Sequence, residues 1–143
     1  MTITAHITGT PKPQPRPRAF ARGGKARVYC PGTAESWKSD IAVAMREHAG
    51  ATIDGSISIT MCFYMPRPKS HYRSGKYSHI LKDTAPAEHI QKPDVDNMAK
   101  AVMDALTGIQ VWRDDCQVAS LSTSKIWADD APGMSLAITY GNK

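Results

Sequence analysis

Alternating apolar and polar residues mark several β-strands along this chain, because successive side chains of a strand point to opposite faces of its sheet. The clearest alternation lies between Gly55 and Pro66, where a central strand is expected. The predicted strands are Thr2–Thr8, Val28–Tyr29, Ser56–Met65, Val118–Trp127 and Ser135–Tyr140. A turn at Asp130–Gly133 separates the last two strands.

Two other segments repeat apolar residues every three or four positions, as amphipathic helices do. One helix is predicted from about Ala34 to Ala49, and the other begins after a cap at Asp96 or Asn97 and ends at Gly108. The apolar stripe of the second helix is Met98, Ala101, Val102, Ala105 and Leu106. Residues 1–143 are therefore predicted to form one small α+β domain, with about four strands in a mixed or antiparallel sheet and two helices.

The second predicted helix lies within an acidic stretch, with five carboxylates in 22 residues. Asp94 and Asp96 precede it, Asp114 and Asp115 follow it, and Lys100 sits one helical turn beyond Asp96. If the chain folds back after the helix, these carboxylates converge with the lysine. Crowded carboxylates repel one another unless they are neutralised, and Mg²⁺ prefers carboxylate oxygens. The pattern thus favours a metal site.

Each acidic element also has a purely structural interpretation. Acidic residues at a helix start interact favourably with the helix dipole. Pairs of aspartates are common in turns. The presence of both elements around one short helix, with a lysine facing them, shifts the balance towards the metal site.

The rest of the chain is basic, since 18 lysines and arginines exceed 13 acidic residues and give a net charge of +5. Residues 10–30 form a proline-rich arm with alternate prolines, which favour an extended backbone. Lys12, Arg16 and Arg18 of this arm are predicted to contact DNA phosphates. A solvated proline-rich loop is the alternative.

Hydrophobic periodicity disappears in residues 66–91, where basic residues are mixed with tyrosines. Arg67, Lys69 and Arg73 are predicted to bind phosphates, and the tyrosines could stack on unpaired bases. The alternative is a mobile insertion, because long loops in small domains are usually either functional or disordered.

Three cysteines without paired or metal-type spacing, together with the lack of a secretory signal, predict reduced thiols and a cytoplasmic location. No apolar run approaches the roughly 20 residues needed to span a bilayer. A membrane partner is therefore not expected.

The run Lys-Pro-Asp-Val-Asp-Asn-Met-Ala-Lys from Lys92, with Asp-Ala-Leu and then Asp-Asp-Cys-Gln-Val ending at Val118, resembles the RusA family of Holliday junction resolvases. The resemblance extends more weakly to the start of the chain, where Gly-x-Pro-x-Pro is followed by Arg-Pro-Arg. It implies a RusA-like fold and a small, dimeric, Mg²⁺-dependent endonuclease, with Mn²⁺ as a substitute ion. Such proteins are often carried by phages and prophages.

Carried over residue by residue, the resemblance implies that Asp94, Asp96 and Asp115 bind the metal, that Asp114 is an auxiliary acidic position and that Lys100 is the essential lysine. The metal would supply an activated water for phosphodiester hydrolysis. Two symmetric nicks in a four-way junction would require a homodimer.

Two further functions are compatible with the residues. A metal-dependent nuclease or phosphohydrolase would cleave without preference for branched DNA. A junction-binding protein would bind without producing nicks, although the intact Asp-x-Asp and Asp-Asp pairs argue against this function.

Overall fold

The computed structural model describes residues 1–15, 18–29 and 33–141. Six strands and two α-helices follow one another in the order β1 (Thr2–Thr8), β2 (Arg18–Arg22), β3 (Lys25–Tyr29), α1 (Glu35–Ala44), β4 (Ile57–Met65), α2 (Val95–Gly108), β5 (Val118–Trp127) and β6 (Gly133–Tyr140). Four short 3-10 turns lie between them, at 46–48, 69–71, 75–77 and 115–117. Among the described helices, none is long and apolar enough to cross a membrane.

The main sheet has the strand order β1-β6-β4-β5. Strand β6 pairs antiparallel with both β1 and β4, whereas β4 and β5 are parallel. A parallel pair cannot be joined by a tight hairpin and needs a long crossover connection. Here the crossover is formed by residues 66–117, which include α2. The predicted α+β fold with a four-stranded mixed sheet and two helices is confirmed.

The hydrophobic core lies between one face of the sheet and the two helices. Every second residue of β4, from Ile57 to Met65, is buried, while the residues between them are exposed or half-buried. Helix α2 contributes the stripe predicted from its spacing, and Trp37 is the largest core side chain of α1. This packing fixes the exposed side of α2 relative to the sheet.

Three local features differ from the prediction. Helix α1 ends at Ala44 and continues as a 3-10 turn, so it is shorter than expected. The basic arm is not extended throughout, because β2 and β3 pair as a hairpin whose two-residue turn, Gly23-Gly24, has positive φ at both positions. Asp94, rather than Asp96 or Asn97, occupies the N-cap position of α2.

The long connection between β4 and α2 is folded and anchored to the sheet. The Arg67 side chain is only 4% exposed. Its Nε donates to the carbonyl oxygen of Ala128 at 2.9 Å and its Nη1 donates to that of Pro86 at 2.8 Å. Arg67 therefore joins the connection to the end of β5. The predicted phosphate contact of Arg67 does not fit this position, because its guanidinium is buried against protein acceptors.

Gly133, at the start of β6, lies where this strand approaches β1 closely. A Cβ at Gly133 would clash with the backbone carbonyl oxygen of Ile7 in the paired strand β1. We expect Gly133→Ala to destabilise the protein by about 1–3 kcal/mol, the usual cost of overpacking. At Gly108, in the last turn of α2, a Cβ would meet no atom within 4 Å.

Gly108→Ala is thus the matched control, and we expect it to stabilise the protein by up to about 1 kcal/mol because alanine favours the helix. Urea denaturation measures both changes in the free energy of unfolding. Equal stability of the two variants would contradict the close approach of β6 and β1.

Candidate active site

Lys100 connects α2 to the acidic segment that follows the helix. Its Nζ donates to Asp104 Oδ1 at 2.9 Å and to Asp115 Oδ2 at 3.4 Å. The hydrogen bond to Asp104, reinforced by Asp115, raises the pKa of Lys100 above its ordinary value. The chain does fold back after α2, and Lys100 is held there as a half-exposed cation.

Asp115 is oriented by two further donors. The Thr107 hydroxyl donates a hydrogen bond to Asp115 Oδ1. The indole Nε1–H of Trp112 donates to Thr107 Oγ1 at 2.7 Å and lies 3.5 Å from Asp115 Oδ1. Trp112 is fully buried, so this chain of hydrogen bonds starts in the core. One carboxylate oxygen of Asp115 is thereby held by the protein, while the other faces Lys100.

Asp114 and Gln117 shape the turn that carries Asp115. Asp114 Oδ1 accepts from the backbone N–H of Cys116 at 2.8 Å, and this hydrogen bond lowers the pKa of the Asp114 carboxyl. Gln117 Oε1 accepts from the backbone N–H of Asp114 at 3.1 Å, which completes a capping box. Gln117 Nε2 donates to the carbonyl oxygen of Ile53 at 2.8 Å. The turn is thus tied to the segment before β4.

A lysine of β5 holds the backbone of the segment that leads into α2. Lys125 Nζ donates to the carbonyl oxygens of Gln91 and Pro93, at 2.6 Å each. Burial lowers the pKa of the Lys125 ammonium, and the nearby Asp94 carboxylate partly opposes this shift. The Asp94 side chain does not cap the helix and is exposed. Its carboxylate consequently faces solvent at the helix start.

The basic arm runs beside the same helix start. Asn97 Nδ2 donates to the carbonyl oxygen of Gln14 at 2.9 Å, and the Gln14 N–H donates back to the carbonyl oxygen of Asn97 at 3.0 Å. A cleft of about 510 Å³ is lined by Lys12 from the arm and by Asp94 and Asn97 from the acidic segment. An exposed lysine of the arm therefore borders a predicted metal-binding carboxylate.

The structure brings together some of the predicted site residues and not others. Lys100 contacts Asp115, and Lys12 shares a cleft with Asp94. Within residues 1–15, 18–29 and 33–141, no three acidic, histidine or cysteine side chains form a group that could hold a metal ion. The expected convergence of three carboxylates is therefore not present in this conformation.

The donor set nevertheless suits a hard divalent cation. Carboxylate oxygens are the protein ligands that Mg²⁺ prefers, and the ion usually keeps several waters and binds through one or two carboxylates together with substrate phosphates. Asp94 is exposed, and Asp115 retains one oxygen directed towards Lys100. The residues thus fit an ion held jointly by protein, water and DNA.

The residues predicted to contact DNA differ in their exposure and in whether the structure describes them. Lys12, Lys69 and Arg73 are exposed, and Arg73 Nη2 lies 3.2 Å from Asp83 Oδ1. Arg16 lies outside the described residues, and only the backbone of Arg18 is described, within β2.

Three residues that orient the site escaped the sequence interpretation. Thr107 lies in the last turn of α2, and Trp112 lies in the connection between α2 and β5. Hydrophobic periodicity predicts at most that such residues pack in the core, and it does not predict that they bind Asp115. Lys125 lies in a strand, 32 residues from the Pro93 carbonyl that it binds. No local pattern identifies such a contact.

The hydrogen bond from Thr107 to Asp115 should contribute measurably to stability. Thr107→Val keeps the shape of the side chain but removes the donor, and we expect a loss of about 1–3 kcal/mol because hydrogen bonds to charged groups are strong. Thr107→Ser should retain most of the stability. Thr139→Val, at an exposed position of β6, is the matched control and should be nearly neutral. Urea denaturation showing no difference between Thr107→Val and Thr139→Val would contradict this role.

Comparison with known proteins gives these residues a family context. A family model described as endodeoxyribonuclease RusA matches residues 8–139. The chain is also 34% identical over 130 residues to "Uncharacterized protein YqaN" of Bacillus subtilis (strain 168), a match that covers 87% of each chain. The arm, both helices and strands β4 and β5 lie within the family match, which also covers β6 as far as Thr139 and reaches β1 only at Thr8. The chain therefore belongs to the RusA family of endodeoxyribonucleases, metal-dependent enzymes that bind branched DNA and hydrolyse it.

Proposed function

We propose that this protein is a Mg²⁺-dependent endonuclease that resolves four-way DNA junctions by paired symmetric nicks. The observation that carries the proposal is the pair formed by Lys100 and Asp115, in which the carboxylate is fixed by Thr107 on a turn beside α2. Asp96 lies one helical turn before Lys100 on the same helix. A fixed carboxylate and a fixed ammonium on one exposed surface suit phosphodiester hydrolysis.

Asp94, Asp96 and Asp115 would hold the metal ion, and Asp114 would support the turn that presents Asp115. A bound Mg²⁺ lowers the pKa of water and offsets the charge of the scissile phosphate. The protein's own contribution is to orient Asp115. Because Thr107 and Trp112 occupy one of its oxygens, the carboxylate does not have to be ordered when the substrate binds.

Lys100 acts as a fixed positive charge in this proposal. Its raised pKa keeps the ammonium protonated near neutral pH, so it cannot accept a proton as a general base. An ammonium near the scissile phosphate stabilises the charge that develops on the phosphate oxygens. Lys12, exposed in the neighbouring cleft, binds the backbone of the same strand.

Substrate symmetry supports a homodimer. Each active site cuts one strand, whereas resolution of a four-way junction requires two nicks related by twofold symmetry. A twofold dimer presents two copies of the site to the two opposed strands.

The decisive experiment is cleavage of a synthetic four-way junction, with linear duplex and single-stranded DNA alongside, in Mg²⁺ and in EDTA. We expect paired symmetric nicks in the junction alone and none in EDTA. Cleavage of all three substrates would remove the junction selectivity but keep the nuclease. Binding without nicks in Mg²⁺ would remove the catalytic proposal.

Asp96→Asn should abolish cleavage and preserve or tighten junction binding, because it removes a metal ligand and a charge that repels phosphate. Glu47→Gln, at an exposed position after α1, is the matched control and should cleave normally. Gel shifts in EDTA measure binding, and circular dichroism verifies folding. Loss of junction binding by folded Asp96→Asn would contradict the predicted role of this carboxylate.

The charge of Lys100 can be separated from its ability to exchange a proton. Lys100→Met should lower the single-turnover cleavage rate by about 100-fold or more, in line with the loss of a transition-state donor. Lys100→Arg keeps a permanent positive charge and should retain a clearly higher rate than Lys100→Met. If the arginine variant were as inactive as the methionine variant while both bound the junction, the electrostatic role would be refuted.

A further inference from the structure

The connection between β4 and α2 encloses a second, basic pocket of about 790 Å³. Its lining includes three cationic side chains, Lys69, Arg73 and Lys82, together with Tyr72 and three serine hydroxyl groups. Cations and hydroxyl groups around an open space can donate hydrogen bonds to a group bound there. This composition suits an anion with several oxygens.

The pocket is built on ordered backbone rather than on a loose loop. The Arg73 N–H donates to the carbonyl oxygen of Ile80 at 2.8 Å, and the Lys82 N–H donates to that of His71 at 2.9 Å. These two hydrogen bonds hold the two sides of the pocket together. The buried guanidinium of Arg67 then fixes the whole connection to the end of β5.

The positive charge of the pocket is compensated only in part. The segment from Arg67 to Lys82, with both end residues included, contains five lysines and arginines and no acidic residue. Asp83, which is 94% exposed, pairs with Arg73 at 3.2 Å. Among the described residues, neither Lys69 nor Lys82 belongs to an ion pair. Like charges held around one space repel each other, and a bound anion relieves that repulsion.

The pocket is close to the proposed cleavage site along the chain. Pro66 lines the same cleft as Asp94, and Lys69 follows Pro66 by three residues. Three residues of fully extended chain span about 11 Å at most. That length corresponds to about three base steps of a DNA strand. A strand that crosses the cleft of Asp94 therefore needs about this further length, from Pro66 to Lys69, to place a phosphate in the pocket.

We propose that this pocket binds a backbone phosphate of the DNA strand that leads away from the cleavage site. Lys69 and Lys82 neutralise the phosphate, and the Tyr72 ring provides a face for the adjoining nucleotide. The proposal rests on the proposed function, since it places the strand relative to the same site. It assigns a defined phosphate position to the connection between β4 and α2.

Three variants that each remove one charge from the same connection test the pocket. Lys69→Gln and Lys82→Gln alter its lining, whereas Lys76→Gln is the matched control, because Lys76 does not line the pocket and its ammonium lies 5.2 Å from the centre of the Tyr77 ring. Junction affinity is measured in EDTA over a range of salt concentrations, with thermal unfolding as the control for folding. No metal chemistry enters this measurement.

We expect Lys69→Gln and Lys82→Gln to weaken binding about tenfold and to reduce the slope of log K against log salt by about one each, as the loss of one phosphate contact does. Lys76→Gln should leave the slope unchanged. Equal effects of all three variants would mean a diffuse basic surface and would overturn the pocket. Unchanged binding in all three variants would overturn it as well.

Two comparisons distinguish the phosphate pocket from a free-nucleotide site and separate its test from that of the proposed nuclease function. Thermal stabilisation by a deoxynucleoside monophosphate that Lys69→Gln abolishes, with junction affinity unchanged, would mean a free-nucleotide site and would overturn the strand contact. The second comparison sets the binding measurements beside the cleavage assay of the wild type. If the pocket variants bind the junction more weakly but the wild type makes no nicks, the pocket is supported and the proposed nuclease function is rejected. Junction nicking by the wild type with unaltered binding by every variant would support the function and reject the pocket.

Discussion

The arrangement of the site depends on the hydrogen bonds that fix Asp115. A carboxylate on a short turn would ordinarily sample several orientations, but here Thr107 from the last turn of α2 and the buried Trp112 restrict it. The same carboxylate then faces Lys100, so helix and turn are joined by one acidic group. Because the indole donor of Trp112 lies in the core, Asp115 is oriented correctly only when the core around Trp112 is folded.

The parallel pairing of β4 and β5 explains why so much of the chemistry lies in one connection. A parallel pair requires a long crossover, and the crossover of this chain contains the basic pocket, the Asp94 segment and α2. It is fastened at two points, through Arg67 bound to the carbonyl of Ala128 just after β5 and through Lys125 of β5 bound to the carbonyl of Pro93 just before α2. The residues proposed to bind the metal ion and the substrate are thus largely carried by a single segment with two attachments.

The extent to which the sequence predicts this structure follows the range of the interactions. The main strands and α2 are predictable because side-chain periodicity is local, and the link between Lys100 and the acidic turn follows from helical spacing plus one reversal of the chain. The β2–β3 hairpin is missed because its charged residues hide the alternation. The burial of Arg67 is not predicted because its acceptors, Pro86 and Ala128, are 19 and 61 residues away, and burial of an arginine cannot be read from its sequence neighbours.

The position of Thr107 in the final turn of α2 has a consequence for partly opened molecules. Helix ends fray more readily than helix centres, since local opening there costs less than global unfolding. When the last turn of α2 opens, Asp115 loses the donor that orients it, while the rest of the core is still packed. A chain in this condition retains its basic surfaces but lacks an ordered carboxylate at position 115. With Asp115 in its proposed role, cleavage activity would be lost before the rest of the fold, and a damaged or incompletely folded copy would bind DNA without cutting it.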